Sequence, residues 1–161
     1  MISIFHQNIQ SINNKLFELN VILQTELAAV DVLCMSEHWL RGEYIKLISI
    51  DEFQLTSNFS SSKSIHGGTC IYVKHYLQTK EVNYIKGISK EKDFEMTAVE
   101  IPDYDLNVVC VYRSPDGDFS IFLRSLESVI QKVQVRKRWL ILCGDWNINF
   151  MQESRRLRDV Q

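Results

Sequence analysis

The chain opens on a segment whose hydrophobic period changes twice: ISIFHQNIQSINNKLFELNVILQTELAAVDVLCMSE, residues 2–37. Residues 2–5 form a short apolar run that predicts a strand. From Ser11, a candidate N-cap, apolar side chains recur every three or four positions, which predicts an amphipathic helix. These side chains are Ile12, Leu16, Leu19, Leu23, Leu27 and Val30. Residues 31–36 then read as a buried strand that ends at Glu37, and strand, helix and strand at this spacing predict a parallel pair.

The middle of the chain contains short β-rich runs separated by Ser-rich, Gly-Gly and Pro-Asp segments, which predicts consecutive antiparallel strands. These predicted strands cover residues 53–56, 69–73, 82–85, 95–101 and 107–112. Residues 118–135 return to helical spacing, and residues 139–143 form an uninterrupted apolar run that is typical of a strand buried on both faces. We therefore predict one mixed α/β domain, residues 1–149, in which helices cover sheets, followed by a basic tail, residues 150–161.

The composition indicates a globular protein without a strong charge bias. The 161 residues fit a single domain, and 45% hydrophobic with 24% charged residues exclude a disordered, collagen-like or low-complexity chain. The sequence has no long apolar run, and its N-terminal residues lack the pattern of a secretory signal, so neither a membrane span nor a signal is expected. Because the net charge is −2, nucleic-acid binding would depend on a local basic patch or on a bound metal.

Four cysteines, none of them in a Cys-x-x-Cys pair, lie in strongly apolar runs: Cys34, Cys70, Cys110 and Cys143. This placement favours small buried core residues with reduced thiols over a disulfide or a zinc site. Reduced thiols are typical of proteins in reducing compartments, so we expect an intracellular protein.

Polar side chains stand at the ends of four predicted strands, where a rigid strand opens into a cleft. They are Asn8, Glu37, Tyr112 with Arg113, and Asp145 with Asn147. The carboxylates of Glu37 and Asp145, together with the two asparagine amides, form an all-oxygen ligand set. Such hard ligands suit Mg²⁺ or Mn²⁺ rather than zinc. A metal held there would polarise a phosphodiester and activate a water molecule.

Each of these residues also has a purely structural interpretation. Asn8 suits a helix cap, Tyr112 a half-buried strand aromatic, and Asp145 a cap for the following turn. Glu37 suits a solvated turn. Only the placement of all of them at strand ends favours a shared site.

Two further groups leave a structural and a functional interpretation open. Trp39 and Trp146 flank the candidate site, and they suit either stacking on a base or packing in the core or at the rim. Basic residues near the end of the second helix and after the last strand suit either a phosphate-tracking patch or a solvated helix end. They are Lys132, Arg136, Lys137, Arg138, Arg155, Arg156 and Arg158.

Five sequence blocks in a fixed order carry a family resemblance. They are Gln7-Asn8-Ile9, Ser36-Glu37-His38-Trp39-Leu40, Gly67-Gly68-Thr69-Cys70-Ile71-Tyr72-Val73, Val111-Tyr112-Arg113-Ser114-Pro115 and Gly144-Asp145-Trp146-Asn147-Ile148-Asn149. Over nearly its whole length the chain resembles the endonuclease/exonuclease/phosphatase superfamily. More narrowly, it is similar to the apurinic-type endonuclease domain of non-LTR retrotransposon polyproteins, the jockey-like elements especially.

The resemblance implies both an architecture and a reaction. The implied fold is an α/β/β/α four-layer sandwich of the deoxyribonuclease I type. The implied reaction is Mg²⁺-dependent hydrolysis of a DNA phosphodiester. In a retrotransposon, such a nick leaves a 3′-hydroxyl that primes reverse transcription, which implies a nuclear protein.

The resemblance also implies a role for each candidate residue. Asn8 and Glu37 match residues of the metal site. Tyr112 matches a tyrosine that contacts the scissile phosphate, Asp145 an aspartate that orients or activates the attacking water, and Asn147 an asparagine that helps to bind the phosphate. The implied cofactor is Mg²⁺, with Mn²⁺ as a substitute, and the implied partner is the phosphate backbone of DNA.

The chain departs from the family pattern after Asn149. Family members continue to a Ser-Asp-His element whose histidine serves the scissile phosphate or proton transfer. The four histidines here lie earlier, at His6, His38, His66 and His75. We therefore expect a C-terminally truncated domain with open strand edges, and an activity impaired by about 10²–10⁴-fold.

Two other classes of function stay open. One is another phosphoesterase of the same superfamily, acting on a phospholipid, an inositol phosphate or RNA. The other is a non-catalytic remnant, such as a nucleic-acid-binding or protein-interaction module.

Overall fold

Two four-stranded sheets form the centre of the computed structural model, which describes residues 1–62, 64–149, 151 and 155–160. The strands are β1 (Ile4–Asn8), β2 (Val32–Ser36), β3 (Phe53–Phe59), β4 (Thr69–Lys74), β5 (Lys80–Glu81), β6 (Phe94–Ile101), β7 (Leu106–Arg113) and β8 (Trp139–Asp145). The helices are α1 (Ile12–Gln24), α2 (Asn83–Lys86), α3 (Phe119–Val135) and α4 (Arg155–Val160), with short 3₁₀ turns at Gly42–Leu47 and Pro102–Tyr104. Of the predicted basic tail, residues 150, 152–154 and 161 lie outside the described residues.

The first sheet has the strand order β1-β2-β4-β3, and α1 connects its first two strands. β1 and β2 are parallel with Asn8 opposite Ser36, which confirms the predicted parallel pair. β1 extends to Asn8, so this side chain is fixed by the sheet itself. Ser11 occupies the N-cap position of α1, as predicted, but its side chain accepts no capping hydrogen bond from the described residues. Instead, the N–H of Ile12 donates to the carbonyl of His38 at 3.2 Å.

The second sheet has the strand order β5-β6-β7-β8, and α3 connects the parallel strands β7 and β8. Asp118 caps α3, since its side chain accepts a hydrogen bond from the N–H of Ile121 at 3.0 Å. The strand predicted at residues 82–85 is wrong, because this segment enters α2 and the strand β5 precedes it. Val82 and Ile85 are both buried and lie three positions apart, which is a helical rather than a strand spacing.

The two sheets pack face to face, and a helix covers the outer face of each. The core between the sheets includes Val32, Cys34, Ile71, Val73, Val99, Val108 and Cys110. α1 packs on the first sheet through Ile12, Leu19 and Leu23, and α3 packs on the second through Phe122, Leu126 and Val129. This arrangement confirms the predicted α/β/β/α sandwich. None of the described helices has the length and apolar character needed to cross a membrane.

β8 is an edge strand, so the prediction that residues 139–143 are buried on both faces is wrong. The side chain of Trp139 is 76% exposed, and that of Ile141 is 39% exposed. Leu140 and Leu142 alternate with them and pack on the α3 side. A continuous apolar run therefore does not distinguish a central strand from an edge strand with one covered face. The four cysteines are free thiols, three of them fully buried.

Both parallel pairs end at the same end of the sandwich. β1 and β2 end at Asn8 and Ser36, and β7 and β8 end at Arg113 and Asp145. Strands of a parallel pair run in the same direction, so their last residues lie side by side. A hydrogen bond between Asn8 and Asp145 joins the two pairs. The polar residues predicted at four strand ends therefore meet at this open end.

Candidate active site

Asn8 holds the two candidate carboxylates together. Its Nδ2 donates to Oε1 of Glu37 at 2.9 Å and to Oδ2 of Asp145 at 2.6 Å. Asn8 and Asp145 are the last residues of edge strands in opposite sheets, and Glu37 directly follows β2. The Asn8 amide therefore binds one carboxylate from each sheet of the sandwich. Three of the predicted site residues, Asn8, Glu37 and Asp145, form one cluster.

Glu37 leaves β2 in a left-handed conformation with a φ of 56°, and Trp39 follows with a φ of 57°. Such angles are strained for residues with a Cβ atom and persist only where the surroundings hold them. The indole Nε1–H of Trp39 donates to Oε2 of Glu37 at 2.9 Å. Both oxygens of Glu37 are thus hydrogen-bonded. The sequence suggested stacking on a base or packing for Trp39, and neither interpretation includes a hydrogen bond to Glu37.

His38 anchors the loop that carries Glu37. It is fully buried, and its Nδ1 accepts a hydrogen bond from the N–H of Leu40 at 3.0 Å. Its Nε2–H therefore donates to the carbonyl of Phe59, also at 3.0 Å. Burial lowers the pKa of His38 to about 4, with the Phe59 carbonyl acting in the opposite direction. His38 is accordingly neutral at physiological pH.

Asp145 and Asn147 form one hydrogen-bonded turn at the end of β8. Oδ1 of Asp145 accepts a hydrogen bond from the backbone N–H of Asn147 at 3.0 Å. Asn147 has a left-handed φ of 50°, and its Nδ2 donates to the carbonyl of Arg113 at 2.6 Å. Asp145 thus uses one oxygen for the turn and the other for Asn8. Asn147 lies beside the cluster, with its amide oriented by the end of β7.

Tyr112 faces the same space from the neighbouring strand. In the sheet register it lies opposite Asp145 on one side and opposite Glu95 on the other. Burial, followed by the nearby carboxylates of Glu37, Glu95 and Asp145, raises the pKa of Tyr112 to about 12. Its hydroxyl is therefore protonated at neutral pH and can donate a hydrogen bond. A cleft of about 130 Å³ opens beside it.

Glu95 is a site residue that the sequence reasoning missed. It lies at the start of β6, its side chain is only 4% exposed, and its carboxylate accepts a hydrogen bond from the N–H of Gly68. Burial, opposed by that N–H and supported by the nearby carboxylates of Glu91 and Glu37, raises its pKa to about 7. Because both alternating faces of this strand carry apolar residues, the sequence pattern gave no signal that the Glu95 carboxylate faces inward.

Arg113 follows Tyr112 in the sequence but serves the surrounding loops. Its guanidinium is fully buried and donates to the carbonyls of Trp146 at 2.8 Å and of Ser114 and Asn147 at 2.9 Å. Trp146 packs on the α3 side, with its ring centroid 5.8 Å from that of Phe122. Trp146 therefore belongs to the core, which was the structural interpretation of this residue.

The basic residues near α3 lie away from the cluster. Lys132 and Arg136 both lie over the ring of Tyr84, at 5.5 and 4.6 Å from its centroid. Arg138 pairs with Glu100 at 2.8 Å. These groups lie near the beginning of β8, and at roughly 3.3 Å per residue they are separated from Asp145 by about 20 Å. They are therefore not part of the candidate site.

The cluster fits a hard divalent cation. Oδ1 of Asn8 is buried and has no hydrogen-bond partner among the described residues, and it belongs to the amide that joins the two carboxylates. Within the described part of the chain, no three His, Cys, Asp or Glu side chains form a metal-binding group. The cluster offers oxygen atoms from the Glu37 carboxylate and the Asn8 amide to a metal, with the Asp145 carboxylate beside them. Mg²⁺ is typically held by one or two carboxylates, with water and phosphate oxygens completing its shell.

A family model matches most of the chain. Residues 7–158 match the model described as the Endonuclease/Exonuclease/phosphatase family. This range includes every residue of the cluster. No curated protein sequence matches the chain.

Solved structures of nucleases share the fold. The endonuclease domain of TRAS1, a telomere-specific non-LTR retrotransposon, superposes with a TM-score of 0.70 at 15% identity, over 99% of this chain and 69% of that domain. A 3′-5′ exonuclease from Neisseria meningitidis gives a TM-score of 0.66 at 18% identity, over 90% of this chain and 57% of that one. An AP endonuclease from Archaeoglobus fulgidus gives 0.62 at 18% identity, over 92% and 58%. The chain thus spans less than two thirds of these last two proteins, and the likeness establishes a common fold.

Proposed function

The chain belongs to the endonuclease/exonuclease/phosphatase family, and from this premise we propose that it is a divalent-metal-dependent phosphodiesterase that nicks DNA. The observation that carries the proposal is the Asn8 amide shared by Glu37 and Asp145. Two carboxylates that are brought together by one amide repel each other and attract a cation. The likeness to the TRAS1 endonuclease domain favours a role in retrotransposition.

Glu37 and Asn8 are the residues that would hold Mg²⁺, or Mn²⁺ in its place. Glu37 offers a carboxylate at a fixed angle, and Asn8 offers an amide oxygen that has no other partner among the described residues. When bound, such an ion polarises the phosphodiester and neutralises the charge that develops on it.

The remaining residues have complementary roles in the proposed reaction. Asp145 accepts a proton from, and orients, the attacking water. Tyr112 stays protonated because its pKa is raised to about 12, so its hydroxyl donates to a phosphate oxygen. Asn147, whose amide nitrogen is held by the Arg113 carbonyl, lies beside Asp145 and supports the bound phosphate.

DNA is the proposed substrate, contacted through its phosphate backbone. Support comes from neighbours with the same fold, which include exonuclease and AP endonuclease structures and a zebrafish TDP2 complex with a single-stranded DNA product. A chain with a net charge of −2 has little general attraction for DNA. Binding would therefore depend on the metal and on local contacts.

A polypeptide of these 161 residues alone should be less active than family members that carry a Ser-Asp-His element. The histidine of that element has no counterpart at the matching position in these 161 residues. A general acid or base typically contributes about 10²–10⁴-fold to the rate. We therefore expect slow nicking by the 161-residue chain when it is tested as it stands.

Nicking of supercoiled plasmid in the presence of Mg²⁺ tests the proposal. Glu37→Gln and Asp145→Asn should each reduce the rate by about 100-fold or more, because each removes a charge from the reacting centre. Glu127→Gln, on an exposed position of α3, is the matched control. Activity that survives both site substitutions, or that is confined to RNA, phospholipid or inositol phosphate substrates, would contradict it.

A further inference from the structure

The turn at Gly67 and Gly68 lies between a buried carboxylate and a buried imidazole. The N–H of Gly68 donates to Oε2 of Glu95. On the opposite side, a Cβ atom at Gly68 would lie only 2.3 Å from the ring of His38. Both glycines have left-handed φ angles, 85° and 90°. This turn, which we name the glycine turn, is therefore positioned by Glu95 and His38 together.

The glycine turn is hydrogen-bonded to the backbone that follows Glu37. The carbonyl of Gly67 accepts a hydrogen bond from the N–H of Trp39 at 3.0 Å, and that of Gly68 accepts a longer one from the N–H of His38 at 3.4 Å. These bonds connect the start of β4 to the loop after β2. A displacement of the turn would therefore displace the backbone of Trp39.

Trp39 connects this backbone to the candidate metal ligand. Its indole N–H donates to one oxygen of Glu37, and the other oxygen accepts from Asn8. Because both Glu37 and Trp39 have strained left-handed backbones, their conformation depends on the contacts that surround them. The direction of the Glu37 carboxylate thus depends on contacts that lead back to Glu95.

We propose that Glu95 is a positioning residue, which fixes the Glu37 carboxylate through the glycine turn and Trp39. The inference rests on the proposed role of Glu37 in binding a divalent metal. In this role the length of the Glu95 side chain matters, because an acceptor oxygen must lie within hydrogen-bonding distance of the N–H of Gly68. A carboxylate buried to this extent is unfavourable unless the position needs it, and here it lies near two other carboxylates.

Two substitutions of Glu95 separate the effect of side-chain length from the effect of charge. Glu95→Gln keeps the side-chain length and an acceptor oxygen but removes the charge. Glu95→Asp keeps the charge but shortens the side chain by one methylene, so the acceptor no longer reaches Gly68. Glu100→Asp is the matched control, since Glu100 lies on the same strand and pairs with Arg138.

Binding of Mn²⁺ to the protein without DNA, followed by the loss of the free-ion electron paramagnetic resonance signal, gives the first measurement. We expect Glu95→Asp to weaken Mn²⁺ binding by about tenfold, the usual effect of disturbing a residue that orients a ligand. Glu95→Gln and Glu100→Asp should remain within about threefold of the wild type. Glu37→Gln, measured alongside, should weaken binding more than any of them.

The indole N–H resonance of Trp39 gives a second measurement, made on the folded protein without metal. It should shift in Glu95→Asp, because the bond from Trp39 to Glu37 is disturbed, and stay near its wild-type position in Glu95→Gln. A contribution of Glu95 to stability alone would not move this resonance.

The outcomes distinguish the inference from the proposed function. Wild-type Mn²⁺ binding by Glu95→Asp, with weak binding by Glu37→Gln, would overturn the inference and leave the proposed function intact. Weak Mn²⁺ binding by Glu95→Gln, together with normal binding by Glu95→Asp, would also overturn the inference. The charge of residue 95 would then matter, and the length of its side chain would not. Normal binding by Glu37→Gln would contradict the proposed function itself, on which the inference depends.

Discussion

Nδ2 of Asn8 lies 2.6 Å from Oδ2 of Asp145, although the two residues are 137 positions apart along the chain. Asn8 ends β1 at the edge of one sheet, and Asp145 ends β8 at the edge of the other. The same amide nitrogen also donates to Glu37. A neutral amide thus stands between two carboxylates, where it relieves part of their repulsion and leaves the site without a positive charge of its own.

Asn8→Asp should make the stability of the protein depend on metal. A third carboxylate beside Glu37 and Asp145 removes the amide donor and adds repulsion, so without metal the free energy of unfolding should fall by about 1–2 kcal/mol. For a domain of this size, that corresponds to about 2–8 °C in Tm. Mn²⁺ should restore the loss, because a cation binds three carboxylates more strongly than two.

Thermal unfolding with EDTA and with Mn²⁺ measures this effect. Asn13→Asp, at an exposed position of α1, is the matched control. Its Tm should equal that of the wild type in EDTA, and again in Mn²⁺. If Asn8→Asp and the wild type gained equally in Tm from Mn²⁺, the cluster would not be the metal site.

The stability of the protein should decrease as the pH rises through the pKa of Glu95. Burial, followed by the carboxylates of Glu91 and Glu37, raises that pKa from 4.5 to about 7 in the folded protein. Between these values the folded state binds more protons than the unfolded state. The stability linked to this proton is therefore fully present below about pH 4.5 and is lost as the pH rises through 7.

Glu95→Gln should remove this dependence. Urea denaturation at about pH 5 and about pH 8 measures the difference in unfolding free energy between the variant and the wild type. We expect this difference to change in favour of the variant, on the order of 2 kcal/mol, as the pH is raised. Parallel pH profiles for the two proteins would show that the carboxyl of Glu95 titrates in the folded state as it does in the unfolded chain.

The strand-end residues could be predicted because each depends on local pattern. Glu37 follows a short apolar run and Asp145 a longer one, so the hydrophobic period alone places them at the ends of buried strands. That Asn8 meets Asp145 was beyond this reasoning, since periodicity does not tell which edges of two sheets face each other. Placement at strand ends made a shared site a hypothesis, and the family resemblance implied a role for each residue in it.

Residues defined by register or by three-dimensional support could not be predicted. Glu95 reads as an ordinary charged residue at the start of a strand, and only its position opposite Tyr112 places it in the site. The hydrogen bond from Trp39 to Glu37 requires a left-handed residue on each side of His38, which no local propensity favours. Arg113 also follows a strand end in the sequence, but the carbonyls that its guanidinium binds come from loops far apart in sequence.

Arg113→Lys should destabilise the fold although it keeps the charge. The guanidinium donates to carbonyls on both sides of the site, in the loop after β7 and in the turn after β8. A lysine ammonium cannot reproduce this planar set of donors, so several buried carbonyls lose their partner. We expect the free energy of unfolding to fall by about 2–4 kcal/mol.

Urea denaturation measures that loss, with Arg124→Lys at an exposed position of α3 as the matched control. The control should stay within about 0.5 kcal/mol of the wild type. An equally small effect at Arg113 would mean that the two loops are held by other contacts.

Gly68→Ala should disturb the site far more than Gly42→Ala, although both glycines have left-handed backbones. The φ angles are 90° at Gly68 and 51° at Gly42, so each alanine is strained by about 1–2 kcal/mol. At Gly42 an added Cβ would meet no other described atom within 4 Å, whereas at Gly68 it would lie 2.3 Å from the buried ring of His38. We therefore expect Gly68→Ala to cost about 2–4 kcal/mol more in unfolding free energy than Gly42→Ala. Gly68→Ala should also shift the Trp39 indole resonance. If Gly68→Ala and Gly42→Ala lost the same unfolding free energy, the His38 ring would move aside freely and the prediction would be wrong.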